Sequence, residues 1–211
     1  MLDKGFKFID LFCGIGGFHQ AMSSLGGQCV FASDIDKECQ NTYFENYGIR
    51  PVGDITKVNA EDIEPFNVLC AGFPCQAFSH AGKQLGFNDS TRGTLFFDVI
   101  RIAKHHMPEY MLLENVKNLA MHDDGHTWDV IYETIQTAGY NVLKAPVIFS
   151  PHFIGLPQNR ERVFIMCVRK DVGNIPEFHF NVKKKDLPPC DLRDILLDDD
   201  QIENVDKYRL F

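Results

Sequence analysis

Short apolar runs alternate with stretches in which apolar residues recur every three or four positions, from residue 7 to residue 169. The runs at 7–12 (KFIDLF), 29–33 (CVFAS), 67–72 (NVLCAG), 109–114 (EYMLLE) and 162–169 (RVFIMCVR) have the length and composition of buried strands. Phe18, Ala21, Met22 and Leu25 recur at helical spacing, and Gly26-Gly27 ends that helix. Leu95, Phe96, Val99, Ile100, Ala103 and Met107 form the apolar stripe of a second helix, and Trp128, Ile131, Ile135 and Ala138 that of a third. This alternation predicts an α/β domain built from βαβ units. Its sheet should be mostly parallel, with helices on both faces. Past residue 173 the pattern weakens, and Pro188-Pro189 and Asp198-Asp199-Asp200 read as linker. The expected division is therefore a domain over 1–175 and a linker over 176–211.

Composition adds exclusions. With 211 residues, 45% hydrophobic and 24% charged, the chain is long enough for one sizeable core. It has no apolar run of membrane-spanning length, and its start lacks the layout of a signal peptide. Seven cysteines without a CxxC pair fit neither a zinc site nor a disulfide framework, so no metal is expected and reduced thiols point to the cytoplasm. A net charge of −8 argues against a free-standing nucleic-acid binder. Arg160, Arg162, Arg169 and Lys170 nonetheless cluster, while Lys183, Lys184 and Lys185 read as a solvated loop.

Three places carry candidate chemistry. Gly14, Gly16 and Gly17 follow the first strand and open the first helix, where glycine permits a tight turn and close approach of a ligand to the backbone. Asp34, at the end of the second strand, is placed to accept hydrogen bonds from a ribose diol, and Asp54 to meet an adenine amino group. Taken singly, either acid is a turn or cap residue. Finally, residues 69–87 (LCAGFPCQAFSHAGKQLGF) leave a strand end and enter a long loop. Cys75, beside Pro74, sits where it can be exposed, whereas Cys70 lies within the apolar strand. Only a few per cent of an ordinary thiol is thiolate at neutral pH, and a nearby cation raises that share.

The segments FIDLFCGIGGFHQAM, FPCQ at 73–76, LENVKNL at 113–119 and QNRERVFI at 158–165 resemble, in order and spacing, the motifs of the DNA cytosine-5 methyltransferase family, particularly its bacterial restriction–modification members. The resemblance covers nearly all of residues 7–170 and implies a Rossmann-like fold that binds S-adenosylmethionine. Cys75 matches the family's nucleophile, which adds to carbon 6 of cytosine so that carbon 5 can take the methyl group. Glu114 matches the residue that contacts N3 and the exocyclic amine. Arg162 matches the arginine that orients the base, with Arg160 on the same segment. Asn115 is expected to fix a turn. The base must leave the double helix to be reached. Residues 76–92 are expected to close over it, with Lys83 and Arg92 available to phosphates. On the cofactor side the resemblance assigns Phe12, Gly14, Ile15, Gly16, Gly17, Asp34, Ile35, Asp54, Ile55, Gly72, Pro74 and Leu95. It departs from the family at Ile35, where an aromatic residue is frequent, and at Ala81, where a polar one is.

Family members continue into a target-recognition region and further motifs that do not occur before Phe211. Base-edge contacts specify sequence, so the chain alone is expected to have little specificity. A complementing subunit carrying those parts is expected as partner, with double-stranded DNA as substrate. The expected place is the bacterial cytoplasm, on the nucleoid when DNA is bound. Two other readings stay open: a tRNA cytosine-5 methyltransferase of the same fold, and a truncated fragment that binds only cofactor or a partner. A dinucleotide oxidoreductase shares the glycine turn and Asp34 but leaves Pro74-Cys75-Gln76 and the Glu114 segment without a role.

Overall fold

A computed structural model describes residues 5–74 and 95–175, together with Asp198 and Gln201. Cys75, the loop at 76–92 and nearly all of the expected linker at 176–211 lie outside the described residues. The chain forms two units: Met1–Ile148 with Arg162–Glu177, and Phe149–Glu161 with Phe178–Phe211.

The first unit is built on a sheet that starts at β1 (Lys7–Leu11). Side chains alternate across a strand, so β1 feeds two cores at once. Ile9 and Leu11 enter one cluster with Leu69, Leu113, Phe96 and Val99 of α3 (Leu95–His106), and Ile131 and Ile135 of α4 (His126–Thr137). Phe8 enters the other with Met22 of α1 (Gly17–Ser24) and Tyr43 of α2 (Lys37–Tyr47). A strand covered on both faces must be apolar along its length, which is why the strand segments read as runs. Each fully buried Leu or Ile in these clusters contributes about 1.5–3 kcal/mol.

The strand order is β2–β1–β3–β4–β7–β5, with β6 (Val147–Phe149) beside β7. The strands β2 (Gln28–Ser33), β1, β3 (Val68–Ala71) and β4 (Tyr110–Val116) run parallel. β7 (Arg162–Arg169) lies antiparallel between β4 and β5 (Tyr140–Val142). The chain passes from β1 to β2 on one side and returns to β3 on the other. The carboxyl ends of β1 and β3 therefore flank the switch point where open α/β sheets bind ligands.

Differences from the expected elements have local causes. β1 stops at Leu11 because Phe12 adopts φ 56°, outside the extended region. β4 runs past Glu114 to Val116, carried by its pairing with β7. α2 was not expected. Its sequence, KECQNTYFENY, is polar, and of its residues only Gln40 and Tyr43 are buried. Its ends are well signalled: Asp36 accepts from the amides of Glu38 (2.8 Å) and Cys39 (3.1 Å), and Gly48 stops the helix at φ 70°. His106, at the end of α3, meets the Ala60 carbonyl at 2.7 Å through Nε2.

Candidate active site

The glycine turn rests on contacts that explain its sequence. Gly16 adopts φ 97°, and a Cβ there would lie 2.1 Å from the Tyr47 ring. The Tyr47 hydroxyl donates to the Gly16 carbonyl at 3.0 Å, so α2 holds the turn by both shape and hydrogen bond. His19 stacks on the same ring, 3.8 Å between centroids and 15° apart in plane. Above the turn there is room: a Cβ on Gly14 or Gly17 would meet nothing within 4 Å.

Asp34 follows β2 and is tied to this turn. Its Oδ2 accepts from the Gly14 amide at 2.8 Å and its Oδ1 from the Asp36 amide at 2.9 Å. Two backbone donors thus fix the carboxylate, while carboxylate oxygens retain further acceptor capacity for a ribose diol. Ile15 and Ile35, on either side, are 63% and 74% exposed. Exposed aliphatic surface beside a fixed carboxylate and an open glycine turn matches an adenosine: apolar faces for the base, an acceptor for the hydroxyls. These residues therefore fit the cofactor that the resemblance implies.

The next segment is joined to Asp34 through its backbone, because the Asp34 amide donates to the Val52 carbonyl at 2.9 Å. Two residues on, Asp54 caps the 3-10 turn Ile55–Lys57, accepting from the Thr56 amide (3.0 Å) and hydroxyl (2.7 Å) through Oδ1. These bonds hold the Asp54 carboxyl below its usual range. It is an ionised acceptor at neutral pH, as an amino group requires. Ile55 is buried in the core, which makes it an anchor of the turn.

At the other side of the switch point, β4 and β7 bring Glu114 and Arg162 together. Glu114 pairs with Phe164 and Val116 with Arg162, so Arg162 is the diagonal neighbour of Glu114 on one face. Its Nε donates to Glu114 Oε1 at 2.9 Å. Asn115 points the opposite way and is 3% exposed. Its Nδ2 donates to the Phe73 carbonyl at 2.7 Å and its Oδ1 accepts from the Val116 amide at 2.8 Å. β4 therefore holds the chain two residues before Cys75.

Gly72 joins the two sides. Its amide donates to the Leu11 carbonyl at 3.3 Å, and a Cβ on it would sit 3.5 Å from Glu114 Oε2 and 3.9 Å from the Phe12 carbonyl. The exit of β1, which carries the glycine turn, thus adjoins the end of β4. Pro74 is exposed and Phe12 and Leu95 are half-buried. Phe12 holds positive φ without being glycine, a costly conformation that surrounding structure must impose. Arg160 belongs to the second unit, where its amide donates to Ser150 Oγ at 3.0 Å. Among the described residues no group of His, Cys, Asp and Glu is placed to hold a metal, and no helix is long and apolar enough to cross a membrane.

Sequence reading missed Tyr47, because a polar helix gives no apolar stripe to announce it. It also missed Arg101, although an Asp-Arg pair three residues apart in a helical stretch was a visible signal.

Comparison with known proteins places this geometry. The family model described as C-5 cytosine-specific DNA methylase matches residues 6–210. The type II methyltransferase M.HhaI of Haemophilus parahaemolyticus is 46% identical over 201 residues, 95% of this chain and 60% of that protein. M.HpaII of Haemophilus parainfluenzae is 50% identical over 175 residues, 82% of this chain and 48% of that protein. The chain thus spans about half to three-fifths of the length of these relatives. A solved DNMT2 variant from Spodoptera frugiperda superposes with TM-score 0.68 over 92% of this chain and 60% of its own, and at 24% identity it shows the fold. With a family match over nearly its whole length and relatives 46% and 50% identical, the chain belongs to the C-5 cytosine-specific DNA methylase family.

Proposed function

We propose that this chain carries the cofactor site and the catalytic groups that move a methyl group from S-adenosylmethionine to carbon 5 of a flipped-out cytosine in double-stranded DNA. The observation that carries this reading is the carboxyl end of β4, where Glu114 meets Arg162 and Asn115 grips the backbone just before Cys75.

Asp34, Asp54, the glycine turn, Ile15 and Ile35 bind the cofactor, with Phe12, Gly72, Pro74 and Leu95 along it and Ile55 anchoring its turn. When bound, it supplies an electrophilic methyl group on a sulfonium. The protein's own groups then act on the base. The Cys75 thiolate adds to carbon 6, Glu114 contacts N3 and the exocyclic amine, and Arg162 orients the ring, with Arg160 on the same segment. Guanidinium suits that task because it is planar and always charged. Attack from carbon 5 takes the methyl group. Loss of the carbon-5 proton to a base, with departure of the thiolate, restores the ring.

Tritiated methyl transfer to mixed-sequence duplex DNA tests the reading, with the purified chain alone and with lysate of a host lacking this gene. Incorporation into DNA that depends on this chain, in either arm, is the expected result. Label on tRNA and none on DNA would overturn the substrate.

A further inference from the structure

Arg101 lies outside every motif that carries the family resemblance, on the middle of α3. Its guanidinium reaches across to the turn that bears Asp54. Nη1 donates to the Val58 carbonyl at 2.9 Å and Nη2 to the Ile55 carbonyl at 3.0 Å. Nε and Nη2 also meet Asp98 Oδ1, at 3.2 and 3.1 Å. The carboxylate, one helical turn before Arg101, aims the fork at the two carbonyls.

A three-residue 3-10 turn does not hold itself. Its own hydrogen bonds are long and poorly aligned: the Lys57 amide donates to the Asp54 carbonyl at 3.1 Å and the Val58 amide to the Ile55 carbonyl at 3.2 Å. Here side chains reinforce both ends: Asp54 takes the amide of Thr56 at the start, and Arg101 adds a second donor to the Ile55 carbonyl and takes the Val58 carbonyl just past the end. Ile55, buried in the core, anchors the middle. The geometry points to Arg101 as a positioning residue for the cofactor, acting through Asp54. It fixes the turn so that the carboxylate stands ready for the adenine amino group instead of being ordered at the cost of binding energy. A lysine does not replace it, because all its donors sit on one nitrogen and it lacks the planar fork that spans the two carbonyls and the carboxylate.

This rests on the cofactor site proposed above, and the test separates the two. S-adenosylhomocysteine is titrated calorimetrically into the 211-residue chain. The proteins compared are wild type, Arg101→Gln, Arg101→Lys, Asp54→Ala and the double variant Arg101→Gln/Asp54→Ala, with thermal midpoints recorded for each. Losing the clamp is expected to raise Kd by about three- to tenfold for both Arg101 variants, the cost of ordering one side chain on binding. In the double variant Kd should stay within about twofold of Asp54→Ala alone, since coupled residues are not additive. Arg101→Lys keeps charge and stem, so it carries the test if Arg101→Gln does not fold. A wild-type chain that binds, with Arg101 variants that lower the midpoint but keep Kd, would make Arg101 a structural staple and overturn the inference. So would losses that multiply in the double variant. A wild-type chain that does not bind would sink the cofactor site itself, and this inference with it.

Discussion

Nε of Arg162 stands 2.9 Å from Oε1 of Glu114, reached from the diagonal position of an antiparallel strand pair. The register sets this contact, so it belongs to the rigid sheet and not to a loop. Glu114→Gln keeps the shape and removes the acid. Methyl transfer should fall by about a hundred- to ten-thousandfold, the usual share of a positioned acid–base group. Cofactor affinity should stay near wild type, because the role proposed for Glu114 is at the base. Single-turnover rates and a cofactor titration check both, and a rate near wild type would remove Glu114 from the chemistry.

Asn115 is the counterpart on the other face of the same strand. Replacing it by Ala strands the Phe73 carbonyl and the Val116 amide, both bonded to it now. Unfolding free energy should drop by about 1–3 kcal/mol. The methylation rate should fall more than stability alone explains, because the chain leading to Cys75 loses its tether. Chemical denaturation and rates at saturating cofactor separate the two effects.

Gly14 and Gly16 differ in what surrounds them, and alanine should reveal it. At Gly14 the backbone sits at φ 52° in open space, so Gly14→Ala should cost about 1–2 kcal/mol for the left-handed conformation alone. At Gly16 the new methyl must also displace the Tyr47 ring. Adding overpacking, Gly16→Ala should cost about 2–4 kcal/mol. Equal losses in thermal unfolding would mean that Tyr47 does not support the turn.

Cys75 carries the proposed covalent step. Cys75→Ala should abolish methyl transfer while cofactor binding stays near wild type. Cys75→Ser should be nearly as inactive, because a hydroxyl is scarcely ionised at neutral pH. Loss of cofactor binding in either variant would show that Cys75 shapes the pocket instead.

Much of this was legible before any coordinates. β7 runs over Arg162–Arg169 as its apolar run implies, and α3 and α4 cover their expected stripes except Met107 and Ala138, each one residue past the helix end. All three bury apolar faces, and burial is what periodicity records. α2 escaped because it buries little, and β5 and β6, at three residues each, are too short for a period. In the site, the glycines and Asp34 could be named from type and position. The supports of the turns could not. Tyr47 and Arg101 act through backbone carbonyls far away in sequence, and nothing about a carbonyl is written in the residue that bears it.

Asp10, in the middle of β1, gives the last prediction. It is fully buried, and among the described residues neither carboxyl oxygen has a hydrogen-bond partner of normal geometry. Burial raises its pKa to about 8, outweighing the nearby His19 amide and Tyr43 hydroxyl, which lower it, and the Asp34 charge adds to the rise. A carboxyl in an unfolded chain titrates near 3.9. The folded state therefore binds this proton more tightly, and its contribution to stability is full below about pH 4. As pH rises the unfolded chain ionises first, so the contribution shrinks and is gone near pH 8. Asp10→Asn mimics the neutral acid at every pH. Relative to wild type, the variant should gain on the order of a few kcal/mol between pH 5 and pH 8. Urea denaturation of both proteins at those two pH values measures the difference. Parallel behaviour of the two proteins would mean that Asp10 is ionised in the folded chain and has found a partner there.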